Sequence, residues 1–161
     1  MTVRAADRAD HAAIRDLLRA AFAGPVEADL VERLRADGDT AIELIAEAGG
    51  RVAGHILFSP MQASFRALAL APLAVAPEMQ RQGIGAALIG SGHDRARQQG
   101  WDAIFVLGDP GYYARFGYSL EAAAKVVSPY SGPHFMAFPL ATLPPTGGDV
   151  RHARAFATLE E

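Results

Sequence analysis

The sequence predicts a mixed α/β fold in which helices flank one central sheet. Three observations predict it: short apolar segments bounded by glycine or proline, amphipathic stretches of helical period, and a chain order in which the two kinds of segment follow one another. The chain has 161 residues, which suits a single domain over 1–161 with a substantial hydrophobic core.

Each element has its own local signal. Helices are predicted where apolar residues recur every three or four positions, over 10–22, 27–35, 85–99 and a short stretch at 112–116. Strands are predicted in short apolar runs, at Val3 and over 40–48, 51–59, 67–75, 103–107 and 135–140. The turn Gly49-Gly50 predicts that the strands 40–48 and 51–59 form an antiparallel hairpin. The strand 67–75 is apolar on both faces, as expected of a central strand.

Composition narrows the function classes. The net charge is -3 and no dense Lys/Arg run is present, so nothing in the charge pattern favours nucleic acid or an anionic membrane as a partner. The absence of cysteine excludes disulfides, thiolate metal sites and a cysteine nucleophile. No apolar run approaches the roughly 20 residues of a membrane helix. The N-terminal residues lack the apolar core of a secretory signal, so we expect a cytoplasmic protein.

The histidines do not predict a metal site. They show neither His-x-x-x-His spacing nor a paired carboxylate pattern. We expect His93 and His134 at the surface, and His55, which lies among apolar residues, in the core with a hydrogen-bond partner.

Residues 80–86, Gln-Arg-Gln-Gly-Ile-Gly-Ala, carry the clearest functional signal. They follow the strand that ends at Val75 and open the helix that follows. A helix start offers unpaired backbone N–H groups and the positive end of a dipole, and glycines there allow a ligand to approach the backbone closely. This combination predicts a site for a phosphate or pyrophosphate.

Two nucleotide motifs do not fit these residues. A Walker loop needs Lys and then Ser or Thr after its last glycine, whereas Gly85 is followed by two alanines. A dinucleotide fingerprint needs a third glycine, but Leu88 stands at that position. It also needs an acidic residue near the end of the next strand, and Asp109 lies too far into the loop after that strand. An NAD-dependent oxidoreductase is therefore a weak alternative.

Two segments together resemble the motifs of one enzyme family. Gln80, Gly83 and Gly85 fill the pattern Gln/Arg-x-x-Gly-x-Gly/Ala after a strand that ends Leu-x-Val-x-Pro. About thirty residues later, 113–118 is similar to the segment Tyr-x-x-x-Gly-Phe/Tyr. In this order and spacing, the two resemble the GNAT superfamily of acetyl-CoA-dependent N-acetyltransferases. Segments similar to those of one bacterial branch extend the resemblance over most of the chain.

The resemblance implies a fold with a mostly antiparallel central sheet, acetyl-CoA as the acetyl donor, and no metal. The pyrophosphate would lie on backbone N–H groups of the loop, and the pantetheine arm would pair with the strand before it. The implied donor-binding residues are Leu73, Ala74, Val75, Arg81, Gln82, Gly83, Ile84, Gly85 and Ala86.

The chemistry implied is attack of a neutral amine on a thioester. Tyr113 matches the family's acid position and would protonate the leaving thiolate, with Tyr112 as its neighbouring competitor. A backbone N–H near Val75 could hold the negative charge that develops on oxygen. The general base is left open between Glu27, Glu43, His55 and a water chain. Glu27 and Glu43 are each expected to be solvent-exposed.

The sequence leaves the acceptor open. It could be a small-molecule or peptide amine, and a homodimer is also left open. The alternative from another class is an acetyl-CoA-binding sensor or regulatory module without turnover, in which the glycine loop serves binding alone.

Overall fold

The structure is a computed structural model that describes residues 1–142 and 148–160. Residues 143–147 and 161, which the predicted domain also includes, lie outside the described part. The strands are β1 (Thr2–Ala5), β2 (Ile42–Ala48), β3 (Arg51–Pro60), β4 (Ala67–Val75), β5 (Ala103–Leu107) and β6 (Phe135–Pro139). The helices are α1 (His11–Phe22), α2 (Val26–Ala36), α3 (Ile84–Gln98), α4 (Pro110–Tyr113) and α5 (Leu120–Ala123). Short 3₁₀ turns occupy Arg8–Asp10, Pro77–Met79, Ala114–Phe116 and Arg154–Glu160.

The six strands form one sheet in the order β1-β2-β3-β4-β5-β6. Every neighbouring pair is antiparallel except β4 and β5, which are parallel and are joined by α3. A parallel pair requires a crossover connection, and the helix after the glycine loop supplies it. The predicted mixed, mostly antiparallel sheet is confirmed.

The two faces of the sheet are covered by different elements. α3 packs over one face, where its apolar residues meet a core that includes Ile56 and Phe58 of β3. α1 and α2 cover half of the other face through leucines such as Leu18 and Leu34, which are fully buried. The rest of that face is covered by α5 and by the chain around Val150. The sheet is therefore buried on both sides, which explains why β3 and β4 are apolar almost throughout.

Gly92 explains how closely α3 approaches the sheet. A Cβ atom at Gly92 would lie 2.4 Å from two ring atoms of Phe58, so no side chain fits between the helix and β3. At Gly90, in contrast, a Cβ would meet nothing within 4 Å. The two interior glycines of α3 therefore differ: Gly92 is required by close packing, and Gly90 is not.

His93 is buried, so the prediction that it lies at the surface is wrong. Its Nε2 lies 2.9 Å from the Tyr118 hydroxyl, and its ring stacks on Phe138 with the ring centres 4.1 Å apart. The helical period predicts a polar side of α3 here, but β6 and the chain after α4 cover that side. Burial, together with the nearby Arg97, lowers the pKa of His93 to about 4. His134 is exposed, as predicted.

The packing of Gly92 predicts opposite effects for two alanine substitutions in α3. Gly92→Ala should lower the free energy of unfolding, because overpacking costs about 1–3 kcal/mol and outweighs a gain in helix propensity of about 1 kcal/mol. Gly90→Ala, the matched control, should raise it by about 0.5–1 kcal/mol. Urea denaturation of both variants tests this, and equal effects would contradict the close contact with Phe58.

The burial of His93 predicts a loss of stability in acid. The unfolded chain binds the proton below about pH 6.5, whereas the native state binds it only below about pH 4. The contribution of His93 is therefore fully present above pH 6.5 and falls as the pH decreases towards 4. His93→Gln should flatten this part of the stability curve, measured by denaturation between pH 4 and 7. His134→Gln is the control and should leave the curve unchanged, because that side chain is exposed.

Candidate functional site

The parallel strands β4 and β5 separate soon after they pair. Their register covers Ala67–Ala69 of β4 against Ala103–Phe105 of β5, and β4 continues for six residues beyond it. Opposite β3, two residues of β4, Ala71 and Pro72, face one residue, so a β-bulge bends β4 at this point. Proline lacks the N–H of a ladder bond and suits this bulge. The last part of β4 thus has an edge that β5 does not pair.

A cleft of about 680 Å³ lies between this part of β4 and the chain after β5. Its walls come from the end of β4, the start of α3 and the region of α4. The lining residues are Leu73, Val75, Gln80, Arg81, Gly83, Ile84, Gly85, Ala86, Tyr112 and Arg115.

The backbone at the start of α3 has the conformation expected of an anion site. Arg81 and Gly83 both have positive φ, +65° and +84°, and Gly83 is the residue before the first turn of the helix. The first helical bond runs from the Ala87 N–H to the Gly83 carbonyl, and no side chain caps the start of α3 among the described residues. Several N–H groups therefore point from the helix end into the cleft without a helical partner.

The charged groups of the cleft are both cationic. Arg81 and Arg115 line it, and no carboxylate does among the described residues. The Arg115 guanidinium lies over the ring of Tyr112, 5.0 Å from the ring centre, and forms a cation–π contact with it. Guanidinium groups bind phosphate oxygens in pairs of hydrogen bonds, so both side chains suit an anionic ligand.

Tyr112 reaches the first turn of α3. A Cβ at Gly85 would lie 2.7 Å from the Tyr112 hydroxyl oxygen, so the hydroxyl occupies the space that any side chain at Gly85 would need. Tyr112, which directly precedes the segment 113–118, thus brings that segment next to the segment 80–86. Burial raises the pKa of Tyr112, which keeps its hydroxyl protonated at neutral pH.

Tyr113 lies beside the end of β5 and does not line the cleft. Its ring packs on Gly108, where a Cβ would lie 2.6 Å from a ring carbon, and edge-on against Tyr112 and Tyr118. Burial, with a smaller contribution from Tyr112, raises the pKa of Tyr113 to about 12. Its predicted role as the acid stays a prediction.

The structure brings most of the predicted donor-binding residues together. Seven of the nine line the cleft: Leu73, Val75, Arg81, Gly83, Ile84, Gly85 and Ala86. The side chain of Ala74 is buried on the opposite face of the sheet, where it pairs with His55. Gln82 is exposed and outside the lining. A residue whose side chain points away from the cleft can still offer its backbone groups to a ligand. The donor-binding roles of Ala74 and Gln82 therefore stay predictions.

Three residues line the cleft in addition to the predicted set. Gln80 belongs to the glycine motif and donates from Nε2 to the Val75 carbonyl at 3.3 Å, which fixes the loop against β4. Tyr112 and Arg115 flank the predicted acid in the sequence. The sequence signal for them lay in and directly before the Tyr-x-x-x-Gly segment, but only the turns over 110–116 decide which of these side chains face the cleft.

Three candidates for the base have very different surroundings. Glu43 lies in a buried network and not at the surface, so the prediction of exposure is wrong: it accepts hydrogen bonds from Arg35 at 2.5 and 3.2 Å and lies 2.8 Å from His55 Nε2. His55 is fully buried with a hydrogen-bond partner, as predicted. Glu27 lies partly exposed in the first turn of α2.

The network also sets the charge of its members. Burial by itself would raise the pKa of Glu43, but the hydrogen bonds from His55 and Arg35 outweigh it and lower the pKa to about 2. Burial lowers the pKa of His55 more than the neighbouring carboxylate raises it, so the imidazole is neutral at pH 7. Its Nδ1 atom is buried without a partner among the described residues.

Comparisons with known proteins agree with this architecture. Residues 11–118 match the model of the acetyltransferase (GNAT) family. The chain is 37% identical over 126 residues to the Escherichia coli (strain K12) N-acetyltransferase YhbS, with 76% of this chain and 75% of that protein covered. It is 38% identical over 133 residues to the N-acetyltransferase YjhQ of the same strain, with 77% and 72% covered.

Two solved structures extend the match to nearly the whole chain. The crystal structure of E. coli YhbS in complex with CoA has a TM-score of 0.89 and 32% identity, and covers 97% of this chain and 91% of that one. A GNAT family acetyltransferase from Brucella melitensis in complex with acetyl-CoA has a TM-score of 0.83 and 32% identity, with 96% and 97% covered.

The sheet with its parted parallel strands and the bare start of α3 define a GNAT-type acyltransferase fold. This chain belongs to the GNAT acetyltransferase family and is an N-acetyltransferase. The resemblance inferred from the two sequence motifs is therefore confirmed. Within residues 1–142 and 148–160, no helix has the length and apolar character needed to cross a bilayer. No group of three or more potential metal-ligating side chains occurs there either.

The buried network predicts a stability cost for neutralising Glu43. Glu43→Gln leaves the Arg35 guanidinium without its carboxylate in a largely buried place, so the free energy of unfolding should fall by about 2 kcal/mol. Glu78→Gln is the matched control, because Glu78 pairs with Arg51 at the exposed surface and its loss should not be measurable. Denaturant unfolding at pH 7 tests the difference. Equal costs for the two variants would show that the network does not stabilise the fold.

Proposed function

We propose that the protein transfers the acetyl group of acetyl-CoA to a primary amine, in a single catalytic domain that spans 1–161. The observation that carries this proposal is the cleft itself. It joins an unpaired strand edge, a helix start with free N–H groups and two guanidinium groups that form no ion pair within the described residues. CoA-bound relatives of the same fold support the identity of the donor.

The cleft fits both parts of the donor. The pyrophosphate is anionic and suits the start of α3 with Arg81 and Arg115. The pantetheine arm carries amides, which suit the unpaired backbone edge over Leu73–Val75. The donor-binding roles of the nine predicted residues form part of this proposal, with Ala74 and Gln82 contributing only backbone groups.

Acetyl-CoA supplies an acetyl group activated as a thioester. In the reaction a C–N bond forms between the amine and the acetyl carbon, the C–S bond breaks, and the proton that the amine loses balances the charge of the thiolate. A backbone N–H of β4 near Val75 stabilises the charge on the carbonyl oxygen, which is worth about 100- to 1000-fold in rate for one such donor.

Tyr113 is the proposed acid, and its surroundings support a donating role. A pKa of about 12 keeps the phenol protonated at neutral pH. Because a thiolate is less basic than this phenolate, Tyr113 acts first as a hydrogen-bond donor to the departing sulfur. Its ring packs on Gly108, three residues beyond Phe105, the last residue of β5 that pairs with β4.

The surroundings of the candidate bases narrow the choice among them. A carboxylate with a pKa of about 2 that is already bonded to Arg35 is too weak a base for an ammonium group, which argues against Glu43. The ring of His55 has no exposed surface for an amine to contact. We therefore propose Glu27 or a water chain as the route by which the amine loses its proton.

An amine-panel assay tests the proposed function. With acetyl-CoA and small-molecule and peptide amines, thiol release should appear for at least one acceptor class. Tyr113→Phe should lower kcat about 100-fold or more, because a general acid typically contributes 100- to 10,000-fold. Its binding of CoA, measured by calorimetry, serves as the control for folding and should change little.

Three outcomes would contradict the proposal. CoA binding without thiol release for any amine would indicate a binding module instead of an acetyltransferase. Stabilisation by NAD(H) and not by acetyl-CoA would assign the cleft to another ligand. A Tyr113→Phe variant that loses CoA binding but keeps its turnover would remove Tyr113 from the catalytic step.

A further inference from the structure

We infer that Tyr112 is a donor-binding residue whose hydroxyl donates a hydrogen bond to the pyrophosphate of the donor. This inference rests on the proposed function and adds a side chain to the backbone site at the start of α3. It also gives the two adjacent tyrosines separate tasks, with Tyr112 at the phosphates and Tyr113 at the sulfur.

The Tyr112 hydroxyl lies beside the first turn of α3. The Tyr112 oxygen occupies the space beside Gly85, the second residue of α3, where a Cβ would lie only 2.7 Å away. Gly85, Ile84 and Ala86 all line the cleft with Tyr112. The hydroxyl therefore stands among the N–H groups that have no helical partner, and an anion that binds them lies next to it.

The hydroxyl is also free to donate. No residue within 1–142 and 148–160 forms a hydrogen bond with it, and burial raises its pKa so that the proton is held at neutral pH. A free donor within a cationic cleft suits an anionic oxygen, since hydrogen bonds to charged acceptors are stronger than those to neutral ones.

The ring of Tyr112 is held in place on three sides. It packs edge-on against Tyr113 at 5.0 Å and Phe116 at 5.2 Å, and the Arg115 guanidinium lies 5.0 Å from its centre. Because these contacts fix the ring before any ligand arrives, binding costs little side-chain entropy. Arg115 thus both orients Tyr112 and adds a positive charge beside it.

Binding of truncated donors tests the inference. Tyr112→Phe removes only the hydroxyl and should raise the Kd of CoA about tenfold, and the KM of acetyl-CoA more than kcat, because one hydrogen bond to a charged group is lost. The same loss should appear with 3′-dephospho-CoA, which keeps the pyrophosphate. The loss should vanish with S-acetylpantetheine, which lacks the pyrophosphate as well as the 3′-phosphate. Tyr113→Phe, the neighbouring control, should show no loss of CoA affinity.

A second measurement needs no ligand. Gly85→Ala should destabilise the wild-type chain, because the new methyl group meets the Tyr112 hydroxyl at 2.7 Å. In the Tyr112→Phe background the next ring atom is 4.0 Å away, so the same substitution should be tolerated. Thermal unfolding of the wild type, the two single variants and the double variant gives the interaction between the two positions. An equal effect of Gly85→Ala in both backgrounds would show that the hydroxyl does not occupy this place.

The outcomes separate the two proposals. If the unmodified protein binds no CoA, the proposed function and this inference both fail. If it binds CoA with equal affinity in the Tyr112→Phe variant, this inference alone is overturned. A Tyr112→Phe variant with unchanged Kd and much lower kcat would identify Tyr112 as the acid and overturn this inference. A loss of affinity confined to donors with the 3′-phosphate would overturn it as well, because the hydroxyl would then contact that phosphate and not the pyrophosphate.

Discussion

The separation of β4 from β5 is the constraint on which the site depends. Backbone N–H and C=O groups inside a sheet must be paired, and an unpaired edge in the middle of a sheet is costly unless water or a ligand satisfies it. Here the pairing ends at Ala69 and Phe105, and the bulge at Ala71 and Pro72 bends β4 away. The edge of β4 that remains inside the sheet is a place where an amide-bearing ligand can take the position of a strand.

The second part of the site follows from how α3 is seated. The helix is drawn close to β3 by the contact between Gly92 and Phe58, and this fixes its first turn beside the end of β4. Gln80 ties the loop to the Val75 carbonyl, so the free N–H groups and the unpaired edge face the same cleft. The two sites proposed for the pyrophosphate and for the amides of the donor therefore adjoin.

Two buried polar clusters lie outside this cleft and serve the fold. Glu43 joins Arg35 of α2 to His55 of β3, and His93 joins α3 to the Tyr118 hydroxyl. In each cluster one histidine nitrogen has a hydrogen-bond partner within the protein, and burial keeps the histidine neutral. Perturbed pKa values alone would mark both as candidate functional sites. Their positions within packed layers, away from the cleft lining, argue for structural roles.

The order of the elements and the family follow from the sequence alone, as does the position of the loop proposed to bind the donor. Hydrophobic period, glycine turns and two motifs carry that information locally, and the strands and helices lie within a few residues of their predicted bounds. Which side chains face the cleft follows from the three-dimensional packing and not from local sequence patterns. Glu43 alternates with apolar residues on a strand, and His93 lies on the polar side of a helical pattern. Both patterns suit an exposed face, but α2, β6 and neighbouring chain cover the two side chains. Tyr112 and Tyr113 are adjacent in sequence, and the turn of α4 against Gly85 and Gly108 assigns them to different places. Such choices depend on contacts between residues distant in sequence, which no local pattern contains.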